Sequence, residues 1–260
     1  MTAPAPRLRG AVLGTAIDVM DWDTALTRIG AWAATHESRY VCLCNAHSVV
    51  TTTQNANFKR IIDEADMAAP DGAPVASMLR KTGFASQQRI NGPDLMWRYC
   101  ALAAQRGERI YLYGGQASML ATLQQRLLAA FPSLQIAGAH SPAFRPATAQ
   151  EDAADIARIN ASGAGTVWVS LGCPKQEQWM AAHRGKISAV MIGVGAAFDY
   201  HAGTLPRAPL WMQHAGLEWL CRVISEPRRL WRRYLVTNTL FLVGAAWQLS
   251  VGRLVGSGKQ

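Results

Sequence analysis

One aspartate lies where a carboxylate could act as a general base. Asp71 follows the apolar residues 67–69, which predict a short buried strand, and Pro70 and Gly72 on either side of it predict a tight turn. Ligands of open α/β sheets bind beyond the carboxyl ends of the strands, and a carboxylate there can take a proton from a hydroxyl group. The alternative is that Asp71 only shapes the turn or caps the next helix, whose first turn would hold Pro74.

Two glycine-containing turns could bind phosphate groups. Gly114 and Gly115 lie between a predicted strand and a predicted helix, and Gly193 and Gly195 follow another strand. Glycine allows a close approach of the backbone to phosphate, and the start of a helix supplies oriented N–H groups. Such turns are also common in sheets without a phosphate site. Neither turn matches the full dinucleotide-binding fingerprint.

Further polar side chains are predicted at strand ends. Lys175, Gln176 and Glu177 lie in the first turn of a helix, where they could contact a ligand or form a solvated turn that favours the helix dipole. Arg89 could bind a phosphate in a bidentate manner or be a surface arginine. His47 lies three residues after an apolar strand, where it could orient a hydroxyl group or simply be packed. We find no cluster with metal-ligand spacing.

Strand and helix patterns alternate from residue 40 to residue 193, and the strands are apolar on both faces. This pattern predicts an α/β fold with a parallel sheet flanked by helices. Residues 48–65 and 210–224 are each predicted to form one helix, and residues 198–203 a loop. Residues 8–19 predict a short hairpin or an edge strand.

The formal net charge is +9, and the excess of positive charge lies near the carboxyl terminus. Residues 206–260 contain 8 Lys and Arg against 2 Asp and Glu, which indicates an anionic partner. A stripe of four arginines precedes the uncharged residues 235–251, which are fewer than the roughly 20 that cross a bilayer. We therefore predict a helix that lies on or dips into a membrane rather than spanning it. Nucleic acid is a weaker alternative because no motif that reads it is present.

The cysteines and the amino terminus give information about the cellular compartment of the protein. The 5 cysteines include no C-x-x-C pair, and Cys42 and Cys44 lie in an apolar run, which favours buried thiols in a reducing cytoplasm. The first ten residues lack the apolar segment of a signal peptide. We therefore expect the protein to stay in the compartment in which it is made.

Seven motifs in order resemble the WecG/TagA/CpsF glycosyltransferases of bacterial surface-polysaccharide and teichoic-acid assembly. The resemblance covers about residues 12–250. The motifs are Asn45 after an apolar strand, Pro70-Asp71-Gly72, Arg89-x-Asn91-Gly92-x-Asp94, Tyr113-Gly114-Gly115, Gly172-x-Pro174-Lys175-Gln176-Glu177, Gly193-Val194-Gly195-x-x-Phe198-Asp199 and Ala202-Gly203 followed by Pro206-Arg207-Ala208-Pro209. One departure is that Leu43 stands where many members carry threonine, which affects the prediction of the donor sugar.

The resemblance implies a Rossmann-like domain with a helical, membrane-associating appendage. We predict a flexible arm at residues 1–10, the Rossmann-like domain at residues 11–204 and the basic, apolar appendage at residues 205–260. The implied reaction is inverting transfer of an N-acetylmannosamine-type sugar, its uronic acid or a hexose such as glucose. The donor is a UDP-sugar, and the acceptor is a sugar on undecaprenyl diphosphate, in exopolysaccharide or cell-surface glycan biosynthesis. No cofactor or obligatory metal is implied, and the protein is expected as a peripheral protein on the cytoplasmic face of the bacterial inner membrane.

The resemblance also implies roles for residues at matching positions. Asp71 is the predicted general base, and the carboxyl-terminal arginines are predicted to bind the lipid diphosphate. The predicted substrate-binding residues are Asn45, His47, Arg89, Asn91, Gly114, Gly115, Gly172, Lys175, Gln176, Glu177, Gly195 and Asp199. The predicted lipid-diphosphate-binding residues are Arg207, Arg222, Arg228 and Arg229.

Other functional classes are open at this point. The protein could be a membrane-tethered nucleotide-sugar-binding scaffold without transferase activity, and an assay of UDP release with and without a lipid acceptor would separate the two. The basic, apolar carboxyl-terminal segment could also be partly covered by a second copy of the chain, as in a homo-oligomer.

Overall fold

The structure is a computed structural model that describes residues 7–256, except for the side chains of His214, Arg229 and residues 251–256. Two short strands, β1 (Arg9–Val12) and β2 (Thr15–Asp18), form an antiparallel hairpin. This hairpin confirms one of the two predictions for residues 8–19. Residues 1–6 of the expected flexible arm lie outside the described part. Within the rest of the arm, Arg7 forms an ion pair of 2.5 Å with the buried Asp18.

The centre of the fold is a parallel six-stranded sheet, which confirms the predicted α/β class. Its strands are β3 (Arg39–Cys44), β4 (Met67–Pro70), β5 (Arg109–Gly114), β6 (Gln135–His140), β7 (Thr166–Ser170) and β8 (Val190–Gly193). They lie in the order β4-β3-β8-β7-β5-β6. Alternate residues of β3 enter different cores: Val41 and Leu43 pack in one, and Tyr40, Cys42 and Cys44 in the other. Burial on both faces explains the continuous apolar strands.

Twelve helices are assigned within residues 7–256. They are α1 (Trp22–Ala34), α2 (Ala46–Gln54), α3 (Ala56–Asp63), α4 (Ala73–Lys81), α5 (Gly92–Arg106), α6 (Ala117–Ala130), α7 (Ala149–Ala161), α8 (Lys175–His183), α9 (Ala197–Ala202), α10 (Leu210–His214), α11 (Glu218–Ser225) and α12 (Pro227–Gly256). Among the residues described, no helix combines the length and the apolar character needed to cross a membrane.

Three local predictions are wrong, each for a specific reason. Residues 48–65 form two helices because the Asn55 side chain accepts a hydrogen bond from Phe58 N–H and starts α3. Residues 210–224 also form two helices, because Gly216 adopts a left-handed conformation, φ +72°, between α10 and α11. Residues 198–203 belong mainly to α9, which ends at Gly203 in a left-handed cap.

The carboxyl-terminal helix α12 is attached to the body of the protein at two places. It packs against α2, and its Gln248 side chain bonds to the turn of the hairpin. Leu13 N–H donates to Gln248 Oε1 at 2.7 Å, and Gln248 Nε2 donates to the Ala11 carbonyl at 2.8 Å. One amide thus satisfies two main-chain groups of the hairpin.

Replacing Gln248 with Ala is expected to loosen this attachment. Loss of two hydrogen bonds should lower the free energy of unfolding by about 1–2 kcal/mol and speed hydrogen exchange at Leu13 N–H. Hydrogen-exchange mass spectrometry checks this result. Ser250→Ala is the matched control, because the Ser250 side chain is exposed and donates within the same helix to Ala246 O. Equal exchange in both variants would contradict the anchoring role of Gln248.

Candidate active site

A cavity of about 390 Å³ lies at the carboxyl edge of the sheet. One wall comes from the residues that follow β3, β4, β7 and β8, and the other from α11 and α12. Ligands of open parallel sheets bind at this edge. Of the predicted site residues, the cavity is lined by Asn45, His47, Asp71, Arg89, Gly172, Gln176, Glu177, Gly195, Asp199 and Arg222.

Asp71 lies in the turn between β4 and α4. Its N–H donates to the Cys44 carbonyl at 3.0 Å, which ties the turn to the end of β3. Gly72 occupies the N-cap of α4, so Asp71 precedes the helix. The Asp71 side chain therefore faces the cavity rather than capping α4, in contrast to the alternative interpretation of this segment.

The surroundings of Asp71 shift its proton affinity upward. Burial raises the pKa of the carboxyl group from 3.8 to about 6, and nearby Glu218 also raises it. Arg89 lowers this pKa, as do hydrogen bonds from the Asn45 side chain and Gly92 N–H. Burial has the largest effect because it disfavours the charged form. A carboxyl group with a pKa of about 6 is suited to exchange protons near neutral pH.

Arg89 bridges two parts of the cavity wall. Its Nε donates to the Asp71 main-chain carbonyl at 2.6 Å, and its Nη2 donates to Glu218 Oε2. The segment that carries Arg89 is itself fixed, because Ile90 N–H donates to the Pro70 carbonyl at 2.9 Å. The arginine is therefore built into the site rather than free on the surface.

Asn45 and His47 start α2 at the cavity. Asn45 Oδ1 caps the helix by accepting from the N–H groups of His47 at 3.0 Å and Ser48 at 3.2 Å. His47 Nδ1 lies 3.4 Å from Thr237 Oγ1 of α12. Burial, assisted by the charge of Arg233, lowers the pKa of His47 to about 4, so the imidazole is neutral at physiological pH.

Gln176 and Glu177 are almost completely buried in the first turn of α8, with 5% and 1% exposure. Gln176 Nε2 donates to Glu177 Oε1 at 2.9 Å. Within the described part of the chain, Gln176 Oε1 and Glu177 Oε2 have no hydrogen-bond partner. Burial raises the pKa of Glu177, although the hydrogen bond from Gln176 lowers it. Buried acceptors without partners are rare, and here both belong to residues that line the cavity.

Several predicted residues lie outside the described lining of the cavity. Gly114 and Gly115 pack between β5 and β7: a Cβ atom on Gly114 would come within 2.3 Å of the Ser170 carbonyl oxygen, and Gly115 N–H donates to that oxygen. This contact is one reason for a glycine at position 114, and binding of a substrate phosphate by the two glycines stays a prediction. Asn91 caps α5 by accepting from Asp94 N–H at 3.0 Å. Lys175 is exposed.

The four predicted lipid-binding arginines occupy different surroundings. Arg222 lines the cavity, lies 3.4 Å from the Tyr200 hydroxyl through Nη1, and has a buried Nε without a partner in the described residues. Arg207 bonds to Asp94 at 2.6 Å outside the lining. Arg228 is exposed, also outside it. The side chain of Arg229 lies outside the described residues.

Sequence reasoning missed part of the wall formed by the carboxyl-terminal helices. Glu218, Trp219, Arg233, Tyr234, Thr237 and Asn238 line the cavity. One signal was available, because Glu218 and Arg222 are four residues apart and share one face of a helix. Arg233 belongs to the arginine stripe, but the pattern alone did not distinguish a residue of the cavity from one of the surface.

The fold and cavity define a class, that of α/β proteins with a polar cavity at the edge of a parallel sheet. The chain matches, over residues 11–254, the family described as Glycosyl transferase WecG/TagA/CpsF. It belongs to this family, as its motifs predict. Membership supports a glycosyltransferase-type function in cell-surface glycan synthesis. Within residues 7–256, no group of three or more His, Cys, Asp or Glu side chains is placed to hold a metal ion.

Proposed function

We propose that the protein transfers a sugar, with inversion, from a UDP-sugar to a hydroxyl group of a sugar carried on undecaprenyl diphosphate. The single observation that carries this proposal is the Asp71 carboxyl, with a pKa of about 6, in the same cavity as Arg89, Arg222 and Arg233. A base and several cations around one cavity are what such a transfer requires. The scaffold alternative is not favoured, because the family is one of glycosyltransferases.

The proposed reaction uses Asp71 as the general base. The carboxylate takes the proton of the acceptor hydroxyl, whose oxygen attacks the anomeric carbon of the donor sugar. The bond to the diphosphate oxygen breaks, and UDP leaves from the opposite face. Guanidinium and main-chain N–H groups stabilise the negative charge that develops on the leaving diphosphate. We expect no added metal to be required, because the arginines supply the positive charge.

Side chains along α10 to α12 support a proposal of peripheral binding to the cytoplasmic face of the inner membrane. The exposed large apolar residues described there are Leu210, Trp211, Trp219, Leu220, Ile224, Trp231, Leu235, Val236, Leu240, Leu242, Val243 and Trp247. Arg228 and Arg232 are exposed beside them. An apolar face with adjacent arginines matches an interfacial helix on anionic lipid, and it would bring the lipid-linked acceptor to the cavity.

A donor screen tests the proposed reaction. UDP-linked N-acetylmannosamine, its uronic acid and glucose are each incubated with a short-chain lipid-diphosphate acceptor, and UDP release is measured with and without EDTA. We expect acceptor-dependent release with one donor and no effect of EDTA. Binding of UDP-sugars without any acceptor-dependent release would favour the scaffold. Leu43, which is 5% exposed and lines the cavity, is the position to vary if the donor is unexpected.

A further inference from the structure

The carboxyl-terminal segment places a second carboxylate in the same cavity as the proposed base. Glu218 is the first residue of α11 and lines the cavity together with Asp71. Its side chain pairs with Arg89, and the two side chains are 23% and 22% exposed. The pair is therefore shielded from solvent more than a surface salt bridge, so its energy is less reduced by screening.

Arg89 connects Glu218 to the turn that carries Asp71. The guanidinium donates through Nε to the Asp71 carbonyl and through Nη2 to Glu218 Oε2, so one planar group holds both partners. The planar guanidinium has a fixed geometry, and a carboxylate on Nη2 therefore also limits the direction of Nε. Movement of Glu218 would release Arg89 and, with it, the carbonyl of the catalytic turn.

We propose that Glu218 is a positioning residue for sugar transfer. It fixes Arg89, and through Arg89 the turn of Asp71, and it places a negative charge beside the Asp71 carboxyl group. This inference rests on the proposed function, because it assigns Glu218 a role in the work of the base. Because Glu218 belongs to α11, the site is complete only when α11 packs against the edge of the sheet.

The groups that face Asp71 determine the sign of the expected effect. Arg89 and the hydrogen bonds from Asn45 and Gly92 N–H favour the ionised carboxylate, and Glu218 opposes it. Removing the charge of Glu218 leaves Arg89 without its counter-charge. The pKa of Asp71 then falls, and a base that must be ionised becomes active at lower pH.

The experiment measures kcat/KM and kcat against pH for Glu218→Gln, Glu218→Asp and the unchanged full-length protein. For Glu218→Gln we expect the acidic limb of the kcat/KM profile to shift to lower pH by about half to one pH unit. Its kcat on the plateau should fall about tenfold, because the turn is held less firmly. Glu218→Asp keeps the negative charge on a shorter side chain. Its acidic limb should therefore shift less than that of Glu218→Gln, while its plateau kcat should still fall.

Two controls separate positioning from general charge and from loss of folding. Glu226→Gln removes another carboxylate near the end of α11, where Glu226 pairs with Arg222 at 3.8 Å, and it should leave the acidic limb in place. Arg89→Gln and the double variant with Glu218→Gln form a double-mutant cycle. If Glu218 acts through Arg89, the double variant should have the same plateau kcat as Arg89→Gln alone. The melting temperature of each variant is measured in parallel.

The outcomes are distinct. If the acidic limb and the plateau kcat of Glu218→Gln are both unchanged, the inference is wrong. It is also wrong if the losses of kcat in the double-mutant cycle are additive, or if unfolding of the variant fully explains its loss of kcat. If Asp71→Asn keeps its turnover, the proposed base is wrong whatever Glu218 does. If Asp71→Asn is inactive while Glu218→Gln behaves as the unchanged protein, only the role of Glu218 fails.

Discussion

Replacing Asp71 with Asn is expected to lower the rate of sugar transfer by about 10²–10⁴-fold, the usual contribution of a general base. Asparagine has nearly the same shape and can still accept the hydrogen bonds of the turn, but it cannot take a proton from the acceptor hydroxyl. The rate is measured as acceptor-dependent UDP release at saturating donor. Near-normal turnover would exclude Asp71 as the base.

The same variant should fold at least as well as the unchanged protein. Because burial raises the pKa of Asp71 from 3.8 to about 6, ionisation of this group lowers the stability of the folded state as pH rises between these two values, and the cost stays constant at higher pH. An uncharged amide removes that cost, so the melting temperature at pH 8 should not fall. Glu64→Gln is a suitable control, because Glu64 is an exposed carboxylate at the end of α3, outside the described lining of the cavity. It should leave both rate and melting temperature unchanged.

The pH dependence of the unchanged protein follows from the same group. A base with a pKa of about 6 is protonated and inactive below that pH, so kcat/KM should rise through about pH 6 to a plateau. This limb should be absent from any residual activity of Asp71→Asn. A limb that persists in the variant belongs to another group.

Replacing Arg222 with Gln is expected to raise KM for the lipid-diphosphate acceptor by about ten- to hundredfold, the value of a hydrogen bond to a charged group. The buried Nε of Arg222 has no partner among the described residues, and a phosphate oxygen would satisfy it. The KM for the UDP-sugar should change less if Arg222 binds the acceptor. Steady-state kinetics with each substrate varied separately measure both values.

Arg228→Gln is the matched control for this prediction. It removes the same charge from an exposed position outside the described lining of the cavity. If both variants raise KM for the acceptor equally, the arginines act as a general positive surface and not as a specific diphosphate site. Arg222→Lys adds a further comparison, since lysine keeps the charge without the planar fork.

Local patterns were sufficient for most of the secondary structure. The alternation of strands and helices predicted for residues 40–193 is observed, because turn residues such as Gly72 and Pro174 separate apolar runs of strand length from the helices that follow. The errors occurred where one side chain or one glycine breaks a helical pattern, as at Asn55 and Gly216. A periodic apolar pattern continues across such a position, so periodicity alone does not locate the break.

The residues of the site were harder to predict from local sequence patterns. Gly114 and Gly115 satisfy the pattern of a phosphate turn, but the strand order puts β5 beyond β7, away from β3 and β4. The turn after β5 consequently packs on Ser170. Glu218 and Arg233 were not predicted in the site because they reach it only through the docking of α11 and α12.

The amino-acid sequence by itself determined the α/β class, the family and the position of Asp71 at the end of a strand. These features depend on residues adjacent in the chain, where apolar runs, turns and motifs are directly visible. The tertiary structure decided which strand ends meet, which arginines enter the cavity, and that Glu218 faces the proposed base. Those arrangements depend on contacts between residues more than a hundred positions apart, such as Arg89 with Glu218 and Leu13 with Gln248, whose pairing no local pattern specifies.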